Sequence, residues 1–537
     1  MLAMSIGTFL KSNLSALAIC AATLASPSVA GSAQAAEGAL VVARNMDINS
    51  LDPARAFCDT CQIYLSAVYE TLLTLGDDNK TLVPKLATAW SANADQTEFT
   101  FDLSPNAVFA DGSPVTSADV AWSLQRLKNI KGDPSFLMDS VASIDTPSAK
   151  KVVISTKEPN SEFLGILAAS YAGILNKRLA EANGASAGED AATVDTADNW
   201  FFANSAGSGP YTLSSYRADD ELRFAANPNY WGTKPAMPEV IIKQTADAVA
   251  QAQMLESGAA DVAMQIDPDT AASYSNAEIV ISAVPSFNFL YLALSPAAKA
   301  NTTPLTKPIR QAIAAAIDYS AMIDFTVGGK GKFQPAPIPN GFPGTMDLPE
   351  PKEDIAKAKA LLAEAGVPDG FTIEAHYPAV NAYGVDISLM MQKVQQDLAR
   401  IGVTLNLTPT TFAVWREEVS GDGIPLTAVY YAPDYFGSAQ YVQYFAMIEG
   451  QPWGKRAGAG AVDGVANPKE AELLKEAMSS SGEKNEAAFR AIALEMIEDK
   501  VIIPLVSPDL VLAARKGVEG VRYSACCNLA LDKLRRE

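Results

Sequence analysis

Histidine is nearly absent. The 537-residue chain has one, His376, so a histidine-based catalytic triad would rest on that residue alone, and an H-E-x-x-H zinc motif is impossible. A lone histidine also cannot build a nickel or haem site by itself. Basic residues are in deficit: 41 Lys and Arg stand against 61 Asp and Glu, for a net charge of −20. Nucleic-acid binding calls for basic patches and is excluded as the main activity. The plain reading of the acidity is solubility. Beyond residue 35 no stretch is apolar enough to cross a bilayer. Neither disorder nor a fibrous repeat fits 48% hydrophobic and 19% charged residues, and the length suggests two or three lobes.

The first 35 residues hold one charge, Lys11, then an apolar run from Leu14 to Leu24 and a small-residue end at Ala33-Gln34-Ala35. That order predicts a secretory signal peptide cleaved near Ala35, over residues 1–35. Cleavage removes Cys20, whose preceding Ile19 makes a poor lipoprotein site, and leaves Cys58, Cys61, Cys526 and Cys527. An even set of thiols in an oxidising compartment suggests disulfides, with three connectivities open. Cys58-x-x-Cys61 also has redox or metal spacing, but the adjacent second pair and the scarcity of histidine fit zinc badly.

Along the chain, Leu40 to Ala43 reads as a strand, Leu51-Asp52-Pro53-Ala54 as a turn and Ile63 to Leu73 as a helix. Phe99, Phe101 and Leu103 alternate with polar residues, the pattern of a half-buried strand. Asp111-Gly112 marks a turn, and Thr116 with Asp119 marks a helix start. Ala182 to Asp198 reads as a loop or an inserted helix. Gly207-Ser208-Gly209-Pro210-Tyr211 reads as a turn into a strand; a phosphate loop would need a following G-K-[ST] and a helix. Past Phe287, strands near Phe289, Phe371, Val403 and Leu426 alternate with helices from Pro308, Ile355 and Ile387, which is α/β patterning. A helical hairpin, Glu470 to Met478 and Asn485 to Glu498, precedes two final strands, Val501 to Val506 and Leu510 to Ala514. With no long linker, such a protein is expected to bind its ligand in a cleft between lobes.

Nine blocks in order carry a resemblance. They run from Leu51-Asp52-Pro53-Ala54 with Val68-Tyr69-Glu70, through Leu86-Ala87 with Trp90, Phe109-x-Asp111-Gly112-Ser113-Pro114-Val115-Thr116 and Gly207-x-Gly209-Pro210-Tyr211, to Asn227-Pro228-x-Tyr230-Trp231-Gly232. Further on are Ser257-Gly258 with Asp261, Ile309-Arg310-Gln311-Ala312, Asp369-Gly370-Phe371 and Ile503-Pro504-Leu505. Over nearly the whole chain after residue 35, the sequence resembles the extracytoplasmic solute-binding proteins of peptide/nickel/opine ABC importers. The resemblance implies a bilobal, type II periplasmic-binding-protein α/β fold with an extra subdomain in the first lobe. It puts lobe one at 36–285, its subdomain at about 76–195, lobe two at 286–500, and 501–537 as C-terminal strands returning to lobe one. It implies no catalysis and no cofactor. The implied partners are a peptide or other amine-bearing solute and an inner-membrane permease with its ATPase, in the periplasm. An oligosaccharide, an opine or another non-peptide solute is the alternative, and a periplasmic hydrolase a remote one.

By the same resemblance Asp434, in Tyr431-Ala432-Pro433-Asp434-Tyr435, is the expected anchor for a ligand ammonium, although Pro-Asp is also ordinary turn chemistry. Tyr431, Tyr435 and Phe412 are expected to flank the ligand, with a core role the competing reading for Phe412. The loop from Ala56 to Cys61, with Cys58 and Asp59, is expected to line the cleft from lobe one, and a bridge between the two cysteine pairs is conceivable. The arginine that holds a peptide carboxylate in relatives aligns here with Asn381 or Ala428, neither of which forms a charged fork. Arg416 reads as part of a solvated helix face.

Overall fold

Strand Phe289–Leu294 is buried at every residue, as apolar side chains on both of its faces require. It lies inside a mixed 12-stranded sheet in the computed structural model of the chain, which describes residues 38–537 apart from 275 and 526. The expected signal segment and Cys20 lie outside the described residues. From one edge the sheet runs Thr404–Thr410, Thr372–Pro378, Leu426–Tyr431, Phe289–Leu294 and Ile502–Arg515. It continues through Val262–Ala263, Ala39–Arg44, Glu239–Gln244, Glu221–Ala226 and Tyr211–Arg217.

The hydrophobic cores divide this sheet into two sides. A first core gathers residues between Leu40 and Met264 with Leu510, Leu512, Ala514 and the segment up to Leu534. Two further cores gather residues between Phe289 and Val506. We call the sides lobe one and lobe two. The backbone passes between them after Ile279–Pro285 and again inside the long strand Ile502–Arg515.

That long strand replaces the two expected from sequence. Its first part pairs with Phe289–Leu294 and its last part with Ile279–Pro285. Ser507-Pro508, which reads as a break, falls between those two ladders and pairs with Gly331–Lys332 instead. A proline without an N–H is tolerated there because the Asp509 N–H makes the ladder bond, to the Lys330 carbonyl at 3.0 Å. The first helix also shifts. It spans Asp59–Val68 rather than Ile63 to Leu73, because Cys58 caps its start and Glu70 leaves the helical path to bridge Ile174. The acidic segment after Ala182 holds one short helix, Ala191–Val194.

A separate antiparallel sheet, Ala87–Ala92, Glu98–Leu103, Lys151–Thr156 and Val141–Ser148, packs beside helix Ser117–Asn129. At that helix start the Asp119 carboxylate accepts from the Thr116 N–H at 2.9 Å and its hydroxyl at 2.6 Å, closing the first turn.

The blocks prominent in sequence turn out to be ends of buried polar networks. Arg126, fully buried, donates to both carboxylate oxygens of Asp52 at 2.6 Å and to Asp195 at 2.9 Å. Its guanidinium lies against Trp122 and Phe201, and these partners hold it firmly protonated despite burial. Glu70, 1% exposed, accepts from Ser208 Oγ at 2.8 Å, Tyr230 OH at 3.0 Å and Trp231 Nε1 at 2.7 Å. This joins Val68-Tyr69-Glu70 to the Gly207 and Trp231 blocks. Gly207 and Gly209 have no room for a side chain, since a Cβ at either would overlap the Val68 carbonyl.

Candidate functional site

The site grows from a helix start in lobe one and a strand end in lobe two. From lobe one comes the first turn of helix Asp59–Val68. A disulfide joins Cys58 to Cys61 across that turn, so a bridge between the two cysteine pairs is not formed; both sulfurs are already used. Cys527 is buried, and Cys526 lies outside the described residues. Asp47 performs the capping role, accepting from the N–H groups of Asp59 at 3.0 Å and Thr60 at 2.9 Å. Three residues on from Asp59, Gln62 faces the same way.

From lobe two comes the end of strand Leu426–Tyr431 and the loop that follows it. The Asp434 N–H donates to Gln440 Oε1 at 2.8 Å, and Tyr431 OH donates to the Asp434 carboxylate at 3.2 Å. Gln440 also donates to the carbonyls of Tyr435 and Gly437. One side-chain amide thus pins the whole turn. Gln62 Nε2 reaches Tyr171 OH in its own lobe at 3.0 Å and crosses to the Pro433 carbonyl of lobe two at 3.3 Å.

Between these ends lies a cavity of about 690 Å³. Its walls include Phe57, Cys58, Asp59, Gln62, Phe136 and Tyr171 from lobe one, and Tyr383, Arg416, Tyr430, Tyr431, Asp434, Tyr435 and Tyr444 from lobe two. Aromatic rings dominate, with Tyr383 edge-on to Tyr430 at 5.4 Å and Tyr431 against Tyr444 at 5.0 Å. Carboxylates outnumber cations, because Asp133 and Asp139 join Asp59 and Asp434, and among the described residues Arg416 is the one guanidinium on the wall. Burial lifts the Asp434 carboxyl to about 7, helped by the charge of Asp59. Burial and the neighbouring Asp47 lift Asp59 to about 7, while Arg44 and a Tyr383 hydrogen bond act the other way.

Glu162 ties the lobes together beside this cavity. It belongs to lobe one, yet its carboxylate accepts from the Ser438 N–H at 2.5 Å, the Ala439 N–H at 2.9 Å and Tyr435 OH at 3.2 Å. Desolvation raises its carboxyl to about 7. Tyr435, 5% exposed, packs into the core of lobe one although its backbone belongs to lobe two.

Five of the residues singled out in sequence, Asp434, Tyr431, Tyr435, Cys58 and Asp59, line this one cavity. Phe412 does not. It opens helix Phe412–Ser420 and packs behind the wall on Trp415 at 5.2 Å and Tyr430 at 6.1 Å. Arg416, expected on a solvated helix face, is exposed but stands at the cavity, its guanidinium 5.8 Å from the Phe412 ring. One helical turn separates the two, so the helix presents Arg416 where the aromatic was expected. Asn381 accepts from the Gly384 N–H at 3.1 Å within a tight turn, and Ala428 is buried in its strand; neither replaces the missing arginine.

Sequence reading missed Tyr383, Gln62 and Glu162. Tyr383 had a signal: Tyr383-Gly384 is a two-residue hairpin loop with φ of 54° and 84°, a turn that asks for left-handed residues. An aromatic in that conformation is unusual and points to a positional role. Gly184-Ala185-Ser186-Ala187-Gly188 spells G-x-S-x-G, yet it lies in a loop after helix Lys177–Glu181, not in a strand-to-helix elbow. His376 bonds Glu418 at 3.0 Å within lobe two, so neither part of a Ser-His pair is arranged as one.

The profile of the bacterial extracellular solute-binding proteins, family 5 (middle region), matches residues 81–450. The chain belongs to this family. It is therefore the substrate-binding component of an ABC importer, which captures a small solute or peptide and delivers it to a permease with its ATPase. A probable D,D-dipeptide-binding periplasmic protein, DdpA, of Escherichia coli K12 is 27% identical over 495 residues, covering 90% of this chain and 91% of the relative. Among solved structures, a dipeptide-binding protein from Pseudoalteromonas sp. SM9913 in complex with Met-Leu superposes with a TM-score of 0.78 at 20% identity, over 93% of this chain and 100% of that one. The binding protein AgaA from A. tumefaciens R10, in complex with agropinic acid, gives 0.75 at 22% identity over 93% and 99%. At these identities the structures establish the bilobal fold. Among the described residues no helix is long and apolar enough to cross a membrane.

Proposed function

We propose that this family member takes up a peptide or peptide-like solute through its ammonium group, with Asp434 as the anchor. The observation that carries this reading is the state of Asp434. It sits at a strand end in an aromatic cavity, touches Tyr431 OH, and forms no ion pair among the described residues. A desolvated carboxylate without a counterion holds a proton instead. A ligand ammonium that replaces the proton makes charge-assisted hydrogen bonds in a low-dielectric site. Arg416, at the same cavity, is the candidate partner for a ligand carboxylate. Tyr431 and Tyr444 supply flat apolar surface for the ligand body, and Cys58–Cys61 braces the opposite wall.

In this reading the protein does no chemistry on its ligand. Residues 1–35 direct export to the periplasm, where the named relative works. Lobe one takes residues 36–285, including the subdomain at about 76–195, lobe two takes 286–500, and the chain from 501 leads back to lobe one.

The tyrosine-rich walls also suit stacking on a sugar or opine, which is the second reading. A thermal-shift screen of di- to pentapeptides, opines, oligosaccharides and amines separates them, because a ligand that binds only the folded state raises its melting temperature. Peptides should shift it and sugars should not; the reverse pattern refutes the peptide reading. Asp434→Ala should weaken any amine ligand by about 100-fold or more in titration calorimetry. Unchanged affinity would remove Asp434 from the site.

A further inference from the structure

We propose that Asp59 forms a second cation subsite and that the cognate solute carries two positive charges near one end, as in a peptide whose first residue is lysine, ornithine or arginine. This deepens the reading of Asp434 as the ammonium anchor and rests on it.

The Asp59 side chain is not what caps its helix. The helix start is capped by Cys58 and by the Asp47 carboxylate, which takes the Asp59 and Thr60 amides. The Asp59 side chain instead faces the cavity, forms no ion pair among the described residues, and shares that cavity with Tyr383 of the opposite lobe. Tyr383 is held there in a left-handed backbone conformation at the tip of its hairpin. A carboxylate keeps acceptor capacity beyond one hydroxyl.

The two carboxylates line the same cavity. Gln62 lies three residues after Asp59, which places their Cβ atoms about 5–6 Å apart on the helix face. The same Gln62 amide reaches the carbonyl of Pro433, the residue before Asp434. Each acid also acts electrostatically on Tyr171, and Asp59 acts on Asp434. Two like charges in one desolvated cavity repel each other. One ammonium satisfies one of them; a second cation on a short arm satisfies both. The groups facing Asp59 favour such a cation. Tyr383 and Tyr430 present ring surface suited to an ammonium or guanidinium. Arg44, the cation acting on Asp59 from its own lobe, already leans on Asp47 at 3.9 Å. Arg416 remains for a carboxylate further along the ligand.

The test is titration calorimetry on the full chain with matched probes: Lys-Ala against Ala-Ala, and 1,5-diaminopentane against 1-aminopentane. The wild type should bind the doubly charged member of each pair about tenfold or more tightly. In Asp59→Asn that ratio should fall to near one, whereas Asp59→Glu, which keeps the charge, should retain a preference. Circular dichroism and melting confirm that each variant is folded. If peptides fail to bind but the diamine preference is present and depends on Asp59, the subsite stands and the peptide reading fails. If the wild type shows no preference in either pair, or if Asp59→Asn leaves the ratio intact, the proposal is overturned.

Discussion

Glu162 is the place where closure of the two lobes can be separated from ligand contact. Its carboxylate is 8% exposed, accepts from two backbone amides and one tyrosine hydroxyl of lobe two, and is not on the cavity wall. Replacing it with alanine leaves three donors without a partner whenever the lobes are closed. At about 1 kcal/mol each, the low end for an unsatisfied buried group, the closed state loses about 3 kcal/mol. That is a factor of about 100 in the open–closed equilibrium. A solute bound only by the closed form should lose a similar factor in apparent affinity. The ligand-free readout is hydrogen exchange at the Ser438 and Ala439 amides, which should accelerate in Glu162→Ala, together with small-angle scattering showing a larger radius of gyration. Glutamine gives the opposite control. It keeps an acceptor and removes a charge that burial disfavours, so Glu162→Gln should stay closed. The titration sign follows from the raised carboxyl. In the closed state it sits at about 7 rather than 4.5, so its contribution is fully present below about 4.5 and is lost as pH rises through about 7. The wild type should therefore open more readily at pH 8 than at pH 5, and the glutamine variant should show less of that change. Unaltered exchange and scattering in the alanine variant would refute the latch.

Three further outcomes can be checked. Amine binding at Asp434 should release a proton near pH 6.5, because its carboxyl is lifted to about 7 in the empty site; calorimetry in buffers of different ionisation enthalpy counts it, and affinity should fall as pH drops below 7. Arg126→Met should lower stability by about 3–5 kcal/mol in denaturant melts, since it strands Asp52 and Asp195 in the core without their cation. Gly207→Ala should reduce the yield of folded protein or its melting temperature sharply, because the new Cβ meets the Val68 carbonyl, and the backbone there has little freedom to shift.

What the residues betray by themselves is local. The Thr116–Asp119 helix start, the Asp111-Gly112 turn, the alternation of Phe99, Phe101 and Leu103 and the helix from Ile387 all involve partners a few positions apart, and all are present. Their order was also enough to suggest the family, and several of its blocks meet in buried networks, Asp52 on Arg126 and Glu70 on Ser208, Tyr230 and Trp231. The networks themselves were not legible. Nothing in Arg126 announces that it will meet Asp52 and Asp195, and nothing in Ser507-Pro508 announces that one strand will run through both lobes.

The cavity lies furthest from the sequence. Gln62 and Pro433 are 371 residues apart, and Glu162 and Ser438 are 276 apart. Side-chain identity determined that Asp434 could hold an ammonium. Only the folding of lobe two decided that Tyr383 and Arg416 would share its cavity and that Phe412 would stand behind Tyr430, and only the meeting of the lobes decided that Asp59 would join them and that Tyr435 would be buried in the opposite core. The physical reason is that turns and helix caps are short-range contacts whose geometry is fixed by neighbouring residues, whereas the electrostatics of a cleft depend on which distant charges burial brings together and which it leaves without counterions.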